Sequence, residues 1–87
     1  MNKWFVYIIR CRDGSFYTGV TPDIKRRFKE HKEGRGGRYT LIHKPLKIVF
    51  LESFDNKKLA LDRERQIKGW SRKKKINLIN SNFNRPG

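Results

Sequence analysis

The sequence predicts an α+β fold: a three-stranded, mostly antiparallel sheet flanked by about three helices in the order ββαβαα. Three observations lead there. Aromatic and β-branched residues concentrate in three short runs. Asp13-Gly14 separates the first two runs and is a strong hairpin signal. Glycines at 34 and 69 stop two amphipathic helical stretches.

Residues 3 to 11 read as the first strand and 15 to 20 as its return. Thr21 followed by Pro22 reads as a helix start, with proline at the first helical position, where its missing N–H costs nothing. That helix is expected to run to about Glu33. Residues 34 to 45 hold three glycines and a proline among scattered basic residues and read as a loop. Leu46 to Phe54 forms the third strand. Asp55 or Asn56 caps a second helix that ends at Gly69, and Ser71 caps a third, lysine-rich at its start. The 87 residues make one domain, with a core over about 3–80 and a polar, frayed tail over 81–87.

Charge narrows the partners. Lys and Arg number 22 against 8 Asp and Glu, a formal net charge of +14. Such a surface attracts polyanions, and the 13% aromatic content suits bases as well as a core. The longest apolar run, Trp4 to Ile9, is too short to span a bilayer, so no membrane is expected. No signal-peptide pattern is apparent, and the lone Cys11 forms no intramolecular disulfide or zinc cage. A monomer in the cytoplasm is the expectation.

Several polar residues fall where apolar ones belong. In the first helix Ile24 and Phe28 form a stripe, and Arg27 and His31 lie on it at i+3 and i+7 from Ile24. They are either core-edge residues with satisfied polar ends or groups for a phosphate and a proton. In the second helix Glu64 sits between Ala60 and Ile67 on the same face. A carboxylate there needs a cation: Lys68 at i+4, an arginine, or a metal ion. Tyr7 and Tyr17 lie on the hairpin. A two-residue turn at Asp13-Gly14 puts them on opposite faces. A three-residue loop, Arg12-Asp13-Gly14 with Gly14 left-handed, puts them on one face with Phe5, Ile9, Cys11 and Gly19, and is the loop expected if the tyrosines share a site.

These residues, in this order, resemble the GIY-YIG family of nuclease domains. Val6-Tyr7-Ile8 stands for the first motif, without its glycine, and Tyr17-Thr18-Gly19 for the second. Arg27 and His31 match the family's Arg-x-x-x-His helix, and Glu64 its metal-binding glutamate. The likeness spans about residues 3 to 80 and is nearest to small stand-alone bacterial members. It implies a metal-dependent endonuclease hydrolysing phosphodiester bonds in DNA, with Tyr7, Tyr17, Arg27, His31 and Glu64 as catalytic residues. Glu64 would hold one Mg²⁺ or Mn²⁺. Arg27 would clamp the phosphate, and one of the tyrosines would position or deprotonate water with help from His31. An asparagine used late in some members would correspond to Asn77.

Lys25, Arg26, Lys29, Arg35 and Arg38, with Arg72, Lys73, Lys74 and Lys75, form the expected nucleic-acid surface. Five neutralised phosphates on duplex DNA would give a log–log salt slope of about −4 to −5. Tyr39 and Trp70 are candidates for base stacking. The competing reading is a catalytically weak or inactive module that binds DNA or RNA.

Overall fold

The computed structural model describes residues 3–83. Three strands, β1 (Trp4–Cys11), β2 (Phe16–Thr21) and β3 (Pro45–Phe54), pair antiparallel in the order β2-β1-β3. The helices are α1 (Ile24–Lys32), α2 (Arg38–His43), α3 (Lys57–Lys68) and α4 (Arg72–Phe83). The class is the expected α+β, with one helix more than the sequence suggested.

The central strand explains the two-sided core. Val6 and Ile8 point to one face and, with Phe50, Ala60 and Ile67, form a buried cluster against α3 and α4. Tyr7, Ile9 and Cys11 point to the other face and pack with Ile24 and Phe28 of α1. A strand buried on both faces cannot alternate apolar with polar, which is why β1 reads as a continuous apolar run. Cys11 is a buried free thiol.

The hairpin closes through the three-residue loop. Cys11 N–H donates to Ser15 O at 2.8 Å, Gly14 N–H donates to Cys11 O at 2.9 Å, and Gly14 has φ +87°. The resulting register pairs Tyr7 with Gly19 and Ile9 with Tyr17, so both tyrosines share a face.

Three local expectations are corrected. α1 is capped by Asp23, whose side chain accepts from Arg26 N–H, and starts at Ile24. Thr21 instead ends β2, paired with Phe5, and its hydroxyl accepts from Asp23 N–H at 3.1 Å. Pro22 therefore links strand to helix and is not the first helical residue. Within the stretch read as a loop, residues 38–43 form α2. Asn56 and Ser71 cap α3 and α4 as expected, through Leu59 N–H and Lys74 N–H. α4 runs through Ser81 to Phe83, where a frayed tail was expected; residues 84–87 lie outside the described residues.

Candidate active site

The hairpin and α1 bring four of the five singled-out residues together. The Tyr7 and Tyr17 ring centroids lie 6.2 Å apart, and the His31 ring lies 5.9 Å from Tyr7 and 5.0 Å from Tyr17. Gly19 faces them from β2. A Cβ there would meet Tyr7 Cζ at 2.5 Å and Tyr17 Cε2 at 3.0 Å. The glycine of the Tyr-Thr-Gly triplet thus makes room for the Tyr7 ring.

His31 is fully buried. Its Nε2 is 2.9 Å from Tyr7 Oη and its Nδ1 is 2.7 Å from Thr40 Oγ1. Burial, helped by the Arg27 charge, pulls its pKa down to about 4, so the ring is neutral at pH 7. A neutral imidazole has one donor and one acceptor nitrogen, and this pair of hydroxyls satisfies both. Burial pushes the Tyr7 phenol up to about 12, against an opposing pull from Arg27; Tyr17 and Glu64 add to the rise.

Arg27 sits half-buried beside the tyrosines. Its Nη1 donates to Glu30 Oε1 and its Nη2 to Gly36 O, each at 3.0 Å. Burial works against its charge, but Glu30 and Tyr7 more than offset it and raise its pKa. Glu64 reaches the group through its field: its charge opposes ionisation of Tyr7, while Lys68 Nζ holds its Oε2 at 3.1 Å. Of the three cations the sequence allowed for Glu64, the i,i+4 pair with Lys68 is formed, with the Glu64 side chain only 18% exposed.

A second ring of residues escaped the sequence reading. Thr40 reaches His31 from α2, and Gly36 passes so close that a Cβ would lie 2.8 Å from His31 Cα. Tyr39, a candidate for base stacking, remains exposed. It stacks 5.7 Å from Tyr17 and 4.2 Å from His43. His43 Nδ1 is 2.5 Å from Asp13 Oδ2, and hydrogen bonds from Ser15 and His43 hold the Asp13 carboxyl well below its usual range. Nothing in the spacing of Thr40, His43 or Asp13 marked them, since each acts across a loop. Trp70 packs on the α3/α4 core with Lys74 4.4 Å over its ring, and Asn77 is exposed on α4 near it.

The basic residues divide by face. Lys25, Arg26 and Lys29 are exposed on α1, with Arg35 and Arg38 after it; Arg35 pairs with Glu33. Arg72, Lys73 and Lys74 are exposed, and Lys75 half-buried, on α4 behind the sheet.

The family model described as the GIY-YIG catalytic domain matches residues 3–77. The chain belongs to the GIY-YIG family. This is a nuclease family, and its catalytic domain fills nearly the whole chain. Relatives include the UPF0213 protein of Staphylococcus saprophyticus, 48% identical over 79 residues that cover 91% of this chain and 96% of the relative. A UPF0213 protein of Staphylococcus aureus is 43% identical with the same coverage. The solution structure of a UPF0213 protein from Bacillus halodurans matches with TM-score 0.59 and 41% identity, covering 90% of this chain and 83% of that one. That of an E. faecalis protein matches with TM-score 0.66 and 29% identity, covering 100% and 96%.

The family's metal can be tested against the donors. Among the described residues no three His, Cys, Asp or Glu side chains cluster to form a metal cage. Hard divalent cations such as Mg²⁺ also bind through one or two carboxylates completed by substrate phosphates and water. Glu64 is compatible with that second mode: it is half-buried, one oxygen is paired with Lys68, and Oε1 has no protein partner among the described residues. No helix among the described residues is long and apolar enough to cross a membrane.

Proposed function

We propose that this domain is an endonuclease that hydrolyses phosphodiester bonds in DNA with the help of a divalent metal, Mg²⁺ or Mn²⁺, held by Glu64. The observation that carries this reading is the convergence of Tyr7, Tyr17, Arg27 and His31 on one sheet face around Gly19. When bound, the ion would act as a Lewis acid toward the phosphate.

The protein's own groups divide the remaining work. Tyr7 is 1% exposed, is bonded to a buried imidazole and resists ionisation. It suits positioning. Tyr17 is more exposed and lies on the same face, which supports it as the tyrosine that touches the attacking water. Neutral His31 accepts a hydrogen bond from the Tyr7 hydroxyl at Nε2 if its Nδ1–H donates to Thr40, which fixes the Tyr7 ring. Arg27 spends Nη1 on Glu30 and Nη2 on Gly36, so its positive charge, with Nε–H, is what it would bring to the scissile phosphate. Water attacks phosphorus as the P–O bond to the leaving oxygen breaks; the water proton passes to Tyr17 in its phenolate form, and solvent protonates the leaving oxygen. A buried free thiol such as Cys11 suits a reducing, cytoplasmic setting.

One observation favours a binding-only module: Arg27 and Glu64 are both paired internally, with Glu30, Gly36 and Lys68. Cleavage decides between the readings. Labelled single-stranded, duplex and branched DNA would be incubated with Mg²⁺ or Mn²⁺, or with EDTA, beside Glu64→Ala. The expected result is metal-dependent cutting that falls by a factor on the order of 10² to 10³ in the variant, the usual cost of losing one transition-state stabiliser. Binding without cutting on every substrate and with either metal would establish the module instead.

A further inference from the structure

Behind the sheet, away from the tyrosines, lies a cleft of about 520 Å³. That is within the range of small-ligand sites, about 300–1,000 Å³. Three cations from three elements line it: Arg10 of β1, Lys47 of β3 and Arg72 of α4. None has an acidic partner among the described residues, and no carboxylate lines the cleft. Between them the wall is apolar, with Phe16, Ile76 and Ile79, and Asn80 adds one amide.

The backbone is irregular at this place. Pairing of β1 with β3 shifts between Ile8 and Ile9 and again between Arg10 and Cys11. Ile8 faces Phe50 while Ile9 faces Ile48, so Val49 is an extra residue, and Val49 lines the cleft. Bulges of this kind bend a strand and re-aim its side chains, often beside sites. Arg10 pairs with Phe16 across the hairpin, one step along from the Ile9–Tyr17 pair. The cleft therefore lies through the sheet from Tyr17, and the Arg72 guanidinium sits 4.6 Å over the Phe16 ring.

We propose that this cleft is a second nucleic-acid site, holding a nucleotide of a single strand with its phosphates on Arg10, Lys47 and Arg72. The proposal rests on the reading that nucleic acid is the partner, and it adds where an unpaired strand goes. An apolar wall with cations at its rim matches a base and its flanking phosphates, the pattern by which single strands are held. Asn80 can pair with a base edge. An anionic lipid would share the cations but make no use of that amide. The cleft is too small for a duplex, so it takes a strand end or a displaced nucleotide.

The test is a titration of the full ¹⁵N-labelled chain in EDTA with a thymidylate oligonucleotide of about five residues. No cleavage enters, so a failed nuclease reading and a failed cleft remain distinguishable. Amide shifts are expected to saturate at Arg10, Phe16, Lys47, Val49 and Asn80. Replacing exposed Arg10 and Lys47 by glutamine should shrink the salt slope by about 1.4, from about 0.7 per phosphate contact on single strands. Lys57→Gln, which removes one charge from α3 away from the cleft, should leave the slope near wild type. Unchanged amide spectra outside the substituted sites show that the variants fold. Shifts confined to α1, an equal loss per charge in Lys57→Gln, or cleft shifts with phosphatidylglycerol vesicles but none with the oligonucleotide would each overturn the proposal.

Discussion

The residue that most shapes the site is His31, a full imidazole buried at 0% exposure where sequence alone left a core residue and a proton carrier as the two readings. Both readings describe the same atom set: the ring is core, and its two nitrogens are spoken for by Tyr7 and Thr40. Its pKa falls from 6.5 to about 4 on folding. The unfolded chain then takes up a proton first as pH drops, so the contribution is complete above about pH 6.5 and is lost as pH falls toward 4. Its size is about 3 kcal/mol at most. Urea unfolding at pH 7 and at pH 4.5 should show this loss, and His31→Gln should flatten that part of the profile. A second residue-scale expectation concerns Gly19. Alanine there would drive a methyl into Tyr7 and Tyr17, at a cost of about 1–3 kcal/mol typical of overpacking. Cleavage should fall further than stability alone explains, read by comparing activity well below the melting temperature with unfolding free energy.

At the scale of elements, the hairpin, α1 and α3 were legible because their signals are local. A turn type, an apolar period and an asparagine cap each act within a few residues. The Asp13-Gly14 signal located the hairpin but left two loop lengths open, and the structure takes the three-residue one that puts both tyrosines on one face. α2 was not legible. Its six residues have no side-chain cap at Gly37, and Leu41 and Ile42 are exposed, so no apolar stripe marks it. It is held from outside, by Thr40 on His31 and by Arg12 N–H on Lys44 O at 2.9 Å. The Thr21 cap misled for a related reason: pairing with Phe5 draws Thr21 into β2, and Asp23 is the next residue able to cap. The dependence of the site on α2 can be checked at Thr40. Valine keeps the shape but leaves His31 Nδ1 buried without a partner, a loss of about 1–3 kcal/mol. Thr40→Ser should recover most of it by denaturant unfolding, since it restores the hydroxyl. Equal losses in both would mean that packing, and not the hydrogen bond, ties α2 to the site.

For the whole molecule, the charge of +14 looked like a single basic surface in the sequence, and the fold divides it. α1 packs on the tyrosine face, whereas α4 packs on the Val6/Ile8 face behind the sheet. On the proposed reading, a rigid duplex lying against the candidate active site would meet Lys25, Arg26, Lys29, Arg35 and Arg38, and would leave Lys73 and Lys75 on the far side of the sheet. Five contacts give a log–log salt slope of about −4.5 on duplex DNA, at about 0.9 per phosphate. The split makes the sharper prediction. Lys25→Gln with Lys29→Gln should shrink that slope by about 1.8, whereas Lys73→Gln with Lys75→Gln should leave it almost unchanged. Fluorescence anisotropy of a labelled duplex across a salt series measures both. Equal shrinkage in the two double variants would mean that the duplex wraps both faces or binds without orientation. In that case net charge, and not the arrangement around the tyrosines, would govern how this domain finds DNA.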